Sequence, residues 1–443
     1  MKDPNKKIAS IIISASWIFT SDIEGQLLSD YSVVIEKDKI IDLIPQSKVF
    51  DEYEANDIYQ LTDHILIPGL INTHTHAAMS LFKGFADDLP LQDWLNNHIW
   101  PAEKEFVNAS FVKDGSILAL SEMIRSGVTT FNDMYFFPDA TAEAAKELGV
   151  RSNIGLVVLD FPTNYATDPE DYLFKGFEFR DKWRNEKLIT TSIAPHAPYS
   201  VSDEALILIN TYSEELGLSI HTHLHETQWE IDDSIDKYGI TPIQRLNNLG
   251  IIGPSLVAAH CVYLNDQDIN ILAKNKVSIV YNPTSNMKLG SGIANVAKMI
   301  KKNLNVSLGT DSSASNNRLD IMEEMRLAAL LIKGSTKLPE LIPAKDAIKL
   351  ATINGAKALG LDSIIGSIEK NKKADLVAID LNTIENQPIY NPLTTLVYSS
   401  SRSDVSYVWI DGKLKLKDKK LVNIDEERIK QLAKKWQIKI KKI

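Results

Sequence analysis

The chain has 443 residues, 44% hydrophobic and 24% charged, enough for two or three domains or one large barrel with an appendage. A formal charge of −10 argues against a nucleic-acid backbone or an anionic membrane as the main partner. The single cysteine, Cys261, excludes an intrachain disulfide and a thiolate metal cluster, and fits a reducing compartment.

Residues 8–19 follow Lys2, Lys6 and Lys7 in the manner of a signal peptide. Ser14 and Ser16 break the apolar run, however, isoleucines crowd it, and no clear small-residue cleavage site follows. The stretch reads as a strand. No run approaches the ~18 apolar residues of a membrane span, so a cytoplasmic protein is expected. Residues 31–36 and 39–44 continue the β texture, which returns at 374–380, 405–411 and 413–422. Both ends therefore predict one antiparallel unit, a small β-sandwich domain made of residues 1–66 and 365–443, closed by a helix over 425–438. The lysines at 413–420 and 434–442 alternate with apolar residues and read as a solvated surface.

Residues 67–364 alternate. Apolar, β-branched runs occur at 64–72, 127–134, 151–160, 188–195, 218–225, 255–261, 277–282 and 306–310. Helical patterns lie between them, at 140–148, 202–216, 241–249, 266–274, 295–302 and 319–334. In the second of these, Ser202 caps, Asp203 and Glu204 fill the first turn, and Gly217 follows the end. This order predicts an α/β protein built on a (β/α)₈ TIM-type barrel. A doubly wound sheet is the competitor, but no Gly-rich dinucleotide or phosphate loop follows any strand.

In such barrels chemistry sits at the C-terminal strand ends. His74 and His76 close the first run, and residues two apart on a strand face one side, so two imidazoles meet at one point, as at a site for zinc or a similar metal. All nine histidines except His64 and His98 fall at or just before a strand end. Asn132-Asp133, Pro195-His196, His221 to Glu226, His260, Asn282-Pro283 and Asp311 mark the others.

The motifs that follow this order are Pro68-Gly69-Leu70-Ile71-Asn72-Thr73-His74-Thr75-His76, Trp100-Pro101-Ala102-Glu103, Pro195-His196-Ala197-Pro198-Tyr199 and His223-Leu224-His225-Glu226. Ala258-Ala259-His260-Cys261, Tyr281-Asn282-Pro283-Thr284-Ser285-Asn286-Met287-Lys288-Leu289-Gly290, Gly309-Thr310-Asp311, Gly366-Ser367-Ile368-Glu369 and Ala374-Asp375-Leu376-Val377 complete them. Over nearly its whole length the chain resembles the amidohydrolase superfamily, and within it the metal-dependent aminohydrolases that deaminate 5′-methylthioadenosine and S-adenosylhomocysteine.

The resemblance implies a hydrolase of C–N bonds in a cyclic amidine, taking a purine nucleoside as its small-molecule substrate. His74, His76, His223 and Asp311 would be metal ligands with one position left for water. Strand four carries no lysine to bridge a second ion, so one Zn²⁺ is expected, with Fe²⁺, Ni²⁺ or Mn²⁺ suited to the same donors. Glu226 would deliver a proton to the ring nitrogen, His260 would orient or deprotonate the water, and Asp311 would be both ligand and proton shuttle. Glu103 would accept both ribose hydroxyls, with His196 beside the purine and sugar; Glu226 and Asp311 would also touch substrate. Trp94 and Trp100 would stack on the substrate or wall the pocket. His64 and His98 match no role.

On strand five, His221, His223 and His225 alternate and share one face. His223 keeps the spacing to Glu226, which would put His221 one layer deeper and His225 beyond the rim. His221 as the ligand, with His223 near substrate, is the alternative. Relatives that bind the amino-acid tail of S-adenosylhomocysteine place arginine on or after strand three. Here no arginine lies between Arg151 and Arg180, which favours the methylthio substrate, since an apolar pocket does not suit a carboxylate. Lys370-Asn371-Lys372 stands where relatives have a Gly turn, a change Asn tolerates. Three other readings compete: a deaminase of a free base such as guanine, 8-oxoguanine or a pterin; a binuclear cyclic amidase; and a metal-binding scaffold without catalysis. Nothing in the sequence marks an interface, and a homo-oligomer is allowed.

Overall fold

The computed structural model describes residues 6–441, so residues 1–5 and 442–443, the outermost parts of the two expected end segments, lie outside it. The described residues form two eight-stranded sheets. One is a barrel whose strands follow chain order: Leu70–Thr75, Val128–Tyr135, Arg151–Val158, Ile189–Pro195, Ile220–Leu224, Leu256–His260, Ser278–Tyr281 and Asn305–Leu308. Adjacent strands pair parallel throughout. The first and last strands meet through side chains and strand-end backbone: Thr73 Oγ1 donates to Leu308 O at 2.7 Å, and Asp311 N donates to His74 O at 2.9 Å. A barrel has no free edge, so each strand end is held from both sides.

The second sheet comes from both chain ends. Lys7–Phe19 lies between Leu27–Glu36 and Tyr53–Pro68, and Leu376–Asp380 joins the far side of Tyr53–Pro68. The sheet is mixed rather than antiparallel, because Lys7–Phe19 and Tyr53–Pro68 run parallel. The helix Gln46–Glu52 supplies the crossover that a parallel neighbour needs. Alternating hydrophobicity reports which face is buried; it carries no strand direction.

The apolar run expected as one strand over 64–72 divides at Gly69. Tyr53–Pro68 belongs to the end sheet and Leu70–Thr75 to the barrel. A Cβ on Gly69 would lie 2.0 Å from Thr129 Oγ1, so only glycine lets the chain cross between the sheets here. Arg151 ties the same junction, its Nε and Nη2 donating to the Asp375 carboxylate at 2.8 and 3.1 Å. This bidentate pair is buried on both sides.

Helices cover the barrel. Asp203–Leu216 is capped by Ser202 and stopped by Gly217 at φ 63°, as its sequence predicts. Ala109–Arg125, Pro169–Trp183 and Gln228–Tyr238 were not among the expected helices, though Asn108, Asp168 and Thr227 cap them. Gln228–Tyr238 buries only Glu230 and Ser234, so it has no apolar stripe to recognise. Ala109–Arg125 makes a close approach to the turn after His76, where a Cβ on Gly115 would stand 2.3 Å from Ala78 O. The C-terminal helix Glu426–Ile440 closes on the same region: Trp436 packs edge-on to Phe111, and its Nε1 donates to Asp114 Oδ2 at 2.8 Å.

Candidate functional site

Five polar groups converge at the mouth of the barrel. His74, His223, His260 and Asp311 each bring a potential ligand atom within 4.8 Å of the others. His76 joins them, its Nε2 3.2 Å from Asp311 Oδ1 and 3.2 Å from His223 Nε2. Backbone carbonyls fix the tautomers. His76 Nδ1 lies 2.6 Å from Met134 O, and His223 Nδ1 lies 2.6 Å from His196 O. A carbonyl only accepts, so each Nδ1 carries a hydrogen, and in the neutral ring each Nε2 presents a lone pair. With both rings neutral, the 3.2 Å contact between those two nitrogens is acceptor against acceptor, unfavourable unless a proton or a metal cation lies between them. His74 Nε2 and His260 Nε2 are buried without a hydrogen-bond partner, and His74 Nε2 stands 3.3 Å from Asp311 Oδ1. Neutral imidazoles and a carboxylate aimed at one point suit a divalent metal.

The charge balance agrees. Burial pushes the Asp311 carboxyl up, but the His74 and His76 imidazoles beside it outweigh burial and hold it well below the usual carboxylate range. Its other oxygen accepts from Ser285 and Ser315 at 2.6 and 2.9 Å, which fixes the plane of the group. Burial pushes His74 down to about 4 and His223 well down, so both favour the neutral, metal-binding form. At His76, burial is outweighed by the Asp311 carboxylate, which raises the imidazole, so positive charge is favoured at that point of the cluster.

Each member is aimed by its strand end. His225, His260 and Asp311 all adopt left-handed backbone, at φ 51, 74 and 61°. Such conformations cost about 1–3 kcal/mol for non-glycine residues and persist where surrounding structure over-determines them. His260 Nδ1 is 2.7 Å from Asn286 Oδ1, a shorter contact than its 3.4 Å approach to Asn282 Nδ2, so the Asn286 contact sets the ring. This leaves its Nε2 facing Glu226 Oε2 at 3.8 Å. Burial raises the Glu226 carboxyl, with His260 acting against that rise.

Strand five divides its histidines as follows. His221 lies one layer below the site, 2.9 Å from His74 Nδ1 and 3.1 Å from Asn132 Nδ2. His225 is not beyond the rim: it is fully buried, with Nδ1 2.8 Å from Tyr263 O and Nε2 accepting from Ile243 N–H. The left-handed turn at His225 swings that ring away from the barrel axis, which the alternation of a regular strand does not anticipate. His196 lies over His223, with ring centroids 4.8 Å apart. His64 bonds Thr62 O at the end sheet, and His98 sits in a wide π-type turn, Trp94–Ile99.

Above the cluster opens a chamber of about 500 Å³. His76, His196, His223, Glu226, His260 and Asp311 line its floor, and Glu103 enters from the side. Trp94, Trp100, Phe136, Val157, Leu159 and Phe161 make its walls predominantly apolar. Trp100 packs on Phe161, with centroids 5.7 Å apart. Lys104, an exposed residue, is the only lysine or arginine among the described residues that line the chamber.

The geometry has counterparts. The amidohydrolase family profile matches residues 65–415. A 5-methylthioadenosine/S-adenosylhomocysteine deaminase of Saccharophagus degradans is 44% identical over 436 residues, covering 98% of each chain. A 5′-deoxyadenosine deaminase of Methanosarcina barkeri is 42% identical over 432 residues, covering 97% of this chain and 98% of its own. Among solved structures, an adenosine deaminase from Xanthomonas campestris with bound zinc superposes with a TM-score of 0.97 at 37% identity, covering 99% of this chain and 100% of its own.

Several residues that build the site escaped the sequence. Ser285 and Asn286 lay inside a recognised motif without a role, and Ser315 gave no signal. Glu230 is the most informative. Its two carboxylate oxygens accept the backbone N–H groups of His225 and Glu226, both at 2.9 Å, and burial pushes it up to about 8. It thus clamps the turn that aims Glu226. Glu230→Ala strands two buried donors and should cost about 2–4 kcal/mol in urea unfolding. Amide hydrogen exchange at His225 and Glu226 should accelerate; unchanged exchange there would remove the clamp.

Proposed function

This chain belongs to the amidohydrolase family, and we propose that it is a zinc-dependent hydrolytic deaminase of 5′-methylthioadenosine. The observation that carries the reading is one chamber that joins a cation-demanding His/Asp cluster and a buried acid, Glu226, to a half-buried carboxylate, Glu103, on its apolar side. The deaminase relatives and the zinc-bound neighbour support it. Among the described residues no helix is long and apolar enough to cross a membrane.

His74, His76, His223 and Asp311 would hold one zinc ion, and iron, nickel or manganese would suit the same donors. His260 also brings a ligand atom within reach of His74, His223 and Asp311, but its Nε2 stands 3.8 Å from Glu226 Oε2 as well, and we assign it to the water rather than to the ion. When bound, zinc supplies the Lewis acidity that makes water a usable nucleophile near neutral pH. The chain's residues manage the protons. Glu226, whose carboxyl burial pushes upward towards the proton-bearing form, donates to N1 of the purine as the water oxygen adds to C6. His260 orients the water. Asp311 takes the first proton of that water and delivers it to the amino nitrogen. The C6–N6 bond breaks, ammonia leaves, and the remaining hydroxyl proton returns to Glu226. One water proton thus replaces the one given to N1 and the other departs with ammonia, leaving the 6-oxo product.

Substrate recognition divides between two sides. Glu103 accepts the ribose hydroxyls, and His196 packs beside the base and sugar. The apolar end of strand three, Val157, Leu159 and Phe161, receives the 5′ substituent. A methylthio or 5′-deoxy end matches that wall; the zwitterionic tail of S-adenosylhomocysteine would find only exposed Lys104. A free base such as guanine offers Glu103 no diol, and a non-catalytic scaffold leaves Glu226 and His260 without a task.

Ammonia-release kinetics should therefore give a kcat/KM for 5′-methylthioadenosine at least about tenfold above that for S-adenosylhomocysteine. Equal values, or the reverse order, contradict the apolar-wall reading. Burial pushes Glu103 up to about 7, with the Tyr135 hydroxyl opposing the rise. The ionised carboxylate accepts two hydroxyls and the protonated one donates into the pair, so KM should rise as pH falls through about 7. Glu103→Gln should abolish that limb of the KM profile; a profile identical to the unaltered enzyme's would take the diol away from Glu103.

A further inference from the structure

We propose that Tyr135 is the specificity-determining partner of Glu103: its hydroxyl sets the carboxylate to receive a cis-diol, so that the chamber selects ribosides over deoxyribosides. The inference rests on the nucleoside reading above. Tyr135 ends the second barrel strand, Val128–Tyr135, and is 5% exposed. Its Oη donates to Glu103 Oε1 at 2.7 Å. Among the described residues, no other side chain donates to that carboxylate.

The need for such a partner follows from where Glu103 sits. It rides on Trp100–Phe106, a helix of two turns after the π-type turn, rather than on the barrel itself. A carboxylate on so short an element, facing an apolar wall, is free to rotate about its last torsion. The bond from Tyr135 makes its two oxygens inequivalent. Oε1 is partly occupied, and Oε2 keeps its lone pairs for the substrate. The backbone of the same helix is gripped from strand three's loop, where Asn164 Nδ2 donates to Lys104 O and Val107 O at 2.8 and 3.0 Å. These carbonyls have no partner within the helix. Side chain and backbone of the Glu103 segment are therefore each tied to a barrel strand or its loop.

Tyr135 also faces the reacting end. Its ring lies edge-on to His76, with centroids 6.5 Å apart, so one rigid side chain spaces the diol anchor from the metal cluster. Burial, reinforced by Glu103, holds the phenol well above its ordinary range, which keeps it a donor at every working pH. A hydrogen bond to a charged group is among the stronger ones, and its loss should be read where the charge meets substrate.

The test compares 5′-methylthioadenosine with its 2′-deoxy analogue on the zinc-loaded enzyme. Tyr135→Phe keeps the ring that packs against His76 and removes only the donor. The unaltered enzyme should favour the riboside, and Tyr135→Phe should shrink that preference about tenfold, with the change falling on KM rather than kcat. In a Glu103→Gln background the same substitution should no longer alter the preference. If Tyr135→Phe keeps the full preference, or raises both KM values alike, Tyr135 is a structural residue and the inference fails alone. If the unaltered enzyme shows no preference, the diol reading of Glu103 fails and this inference falls with it.

Discussion

Electron pairs without protons to share cannot crowd into a dry barrel mouth unless a positive charge joins them. When neutral, His76 and His223 each spend their one hydrogen on a backbone carbonyl, and their free nitrogens then meet at 3.2 Å beside the Asp311 carboxylate. Repulsion of this kind, unscreened by water, is large at low effective dielectric. The fold tolerates it because a closed barrel fixes every strand end from both sides. The arrangement is a demand for a cation written into the backbone.

The rest of the molecule keeps that cluster in place. Left-handed residues at His225, His260 and Asp311 turn the chain sharply out of its strands, and buried carboxylates hold the backbone at several strand ends. Glu230 grips the backbone of strand five's end, and Asp133 accepts Ala77 N–H at 2.7 Å just after His76. Glu324 accepts from Thr284 N–H and Asn316 Nδ2, which follow the ends of strands seven and eight. Burial pushes Asp133 to about 6 and Glu324 to about 8, so each exists as a carboxylate only at a cost that its hydrogen bonds offset in part. The same pattern recurs on the substrate side, where Tyr135 and Asn164 secure an element that is not part of the barrel.

The sequence was most legible where chemistry and periodicity coincide. Histidines spaced by two at the ends of β-branched runs announced a barrel mouth, and the helix Asp203–Leu216 declared its own cap and stop. What stayed hidden depends on a third dimension. The run from His64 gave no sign that Gly69 divides it between two sheets, because the reason lies at Thr129, far along the chain. The alternation of His221, His223 and His225 predicted one shared face; the left-handed turn at His225 broke it. Glu230 and Tyr135 carry no motif of their own. A carboxylate that clamps two backbone amides, or a phenol that orients another residue's carboxylate, is recognised only once its partners are placed.

One cation should complete this site, and deamination should depend on it. Zinc should be titrated into metal-free protein while ammonia release from 5′-methylthioadenosine is followed. Activity should start near zero, rise in proportion to added zinc and stop rising at one zinc per chain. A break at two per chain, or full activity in the protein stripped of metal, would contradict the account.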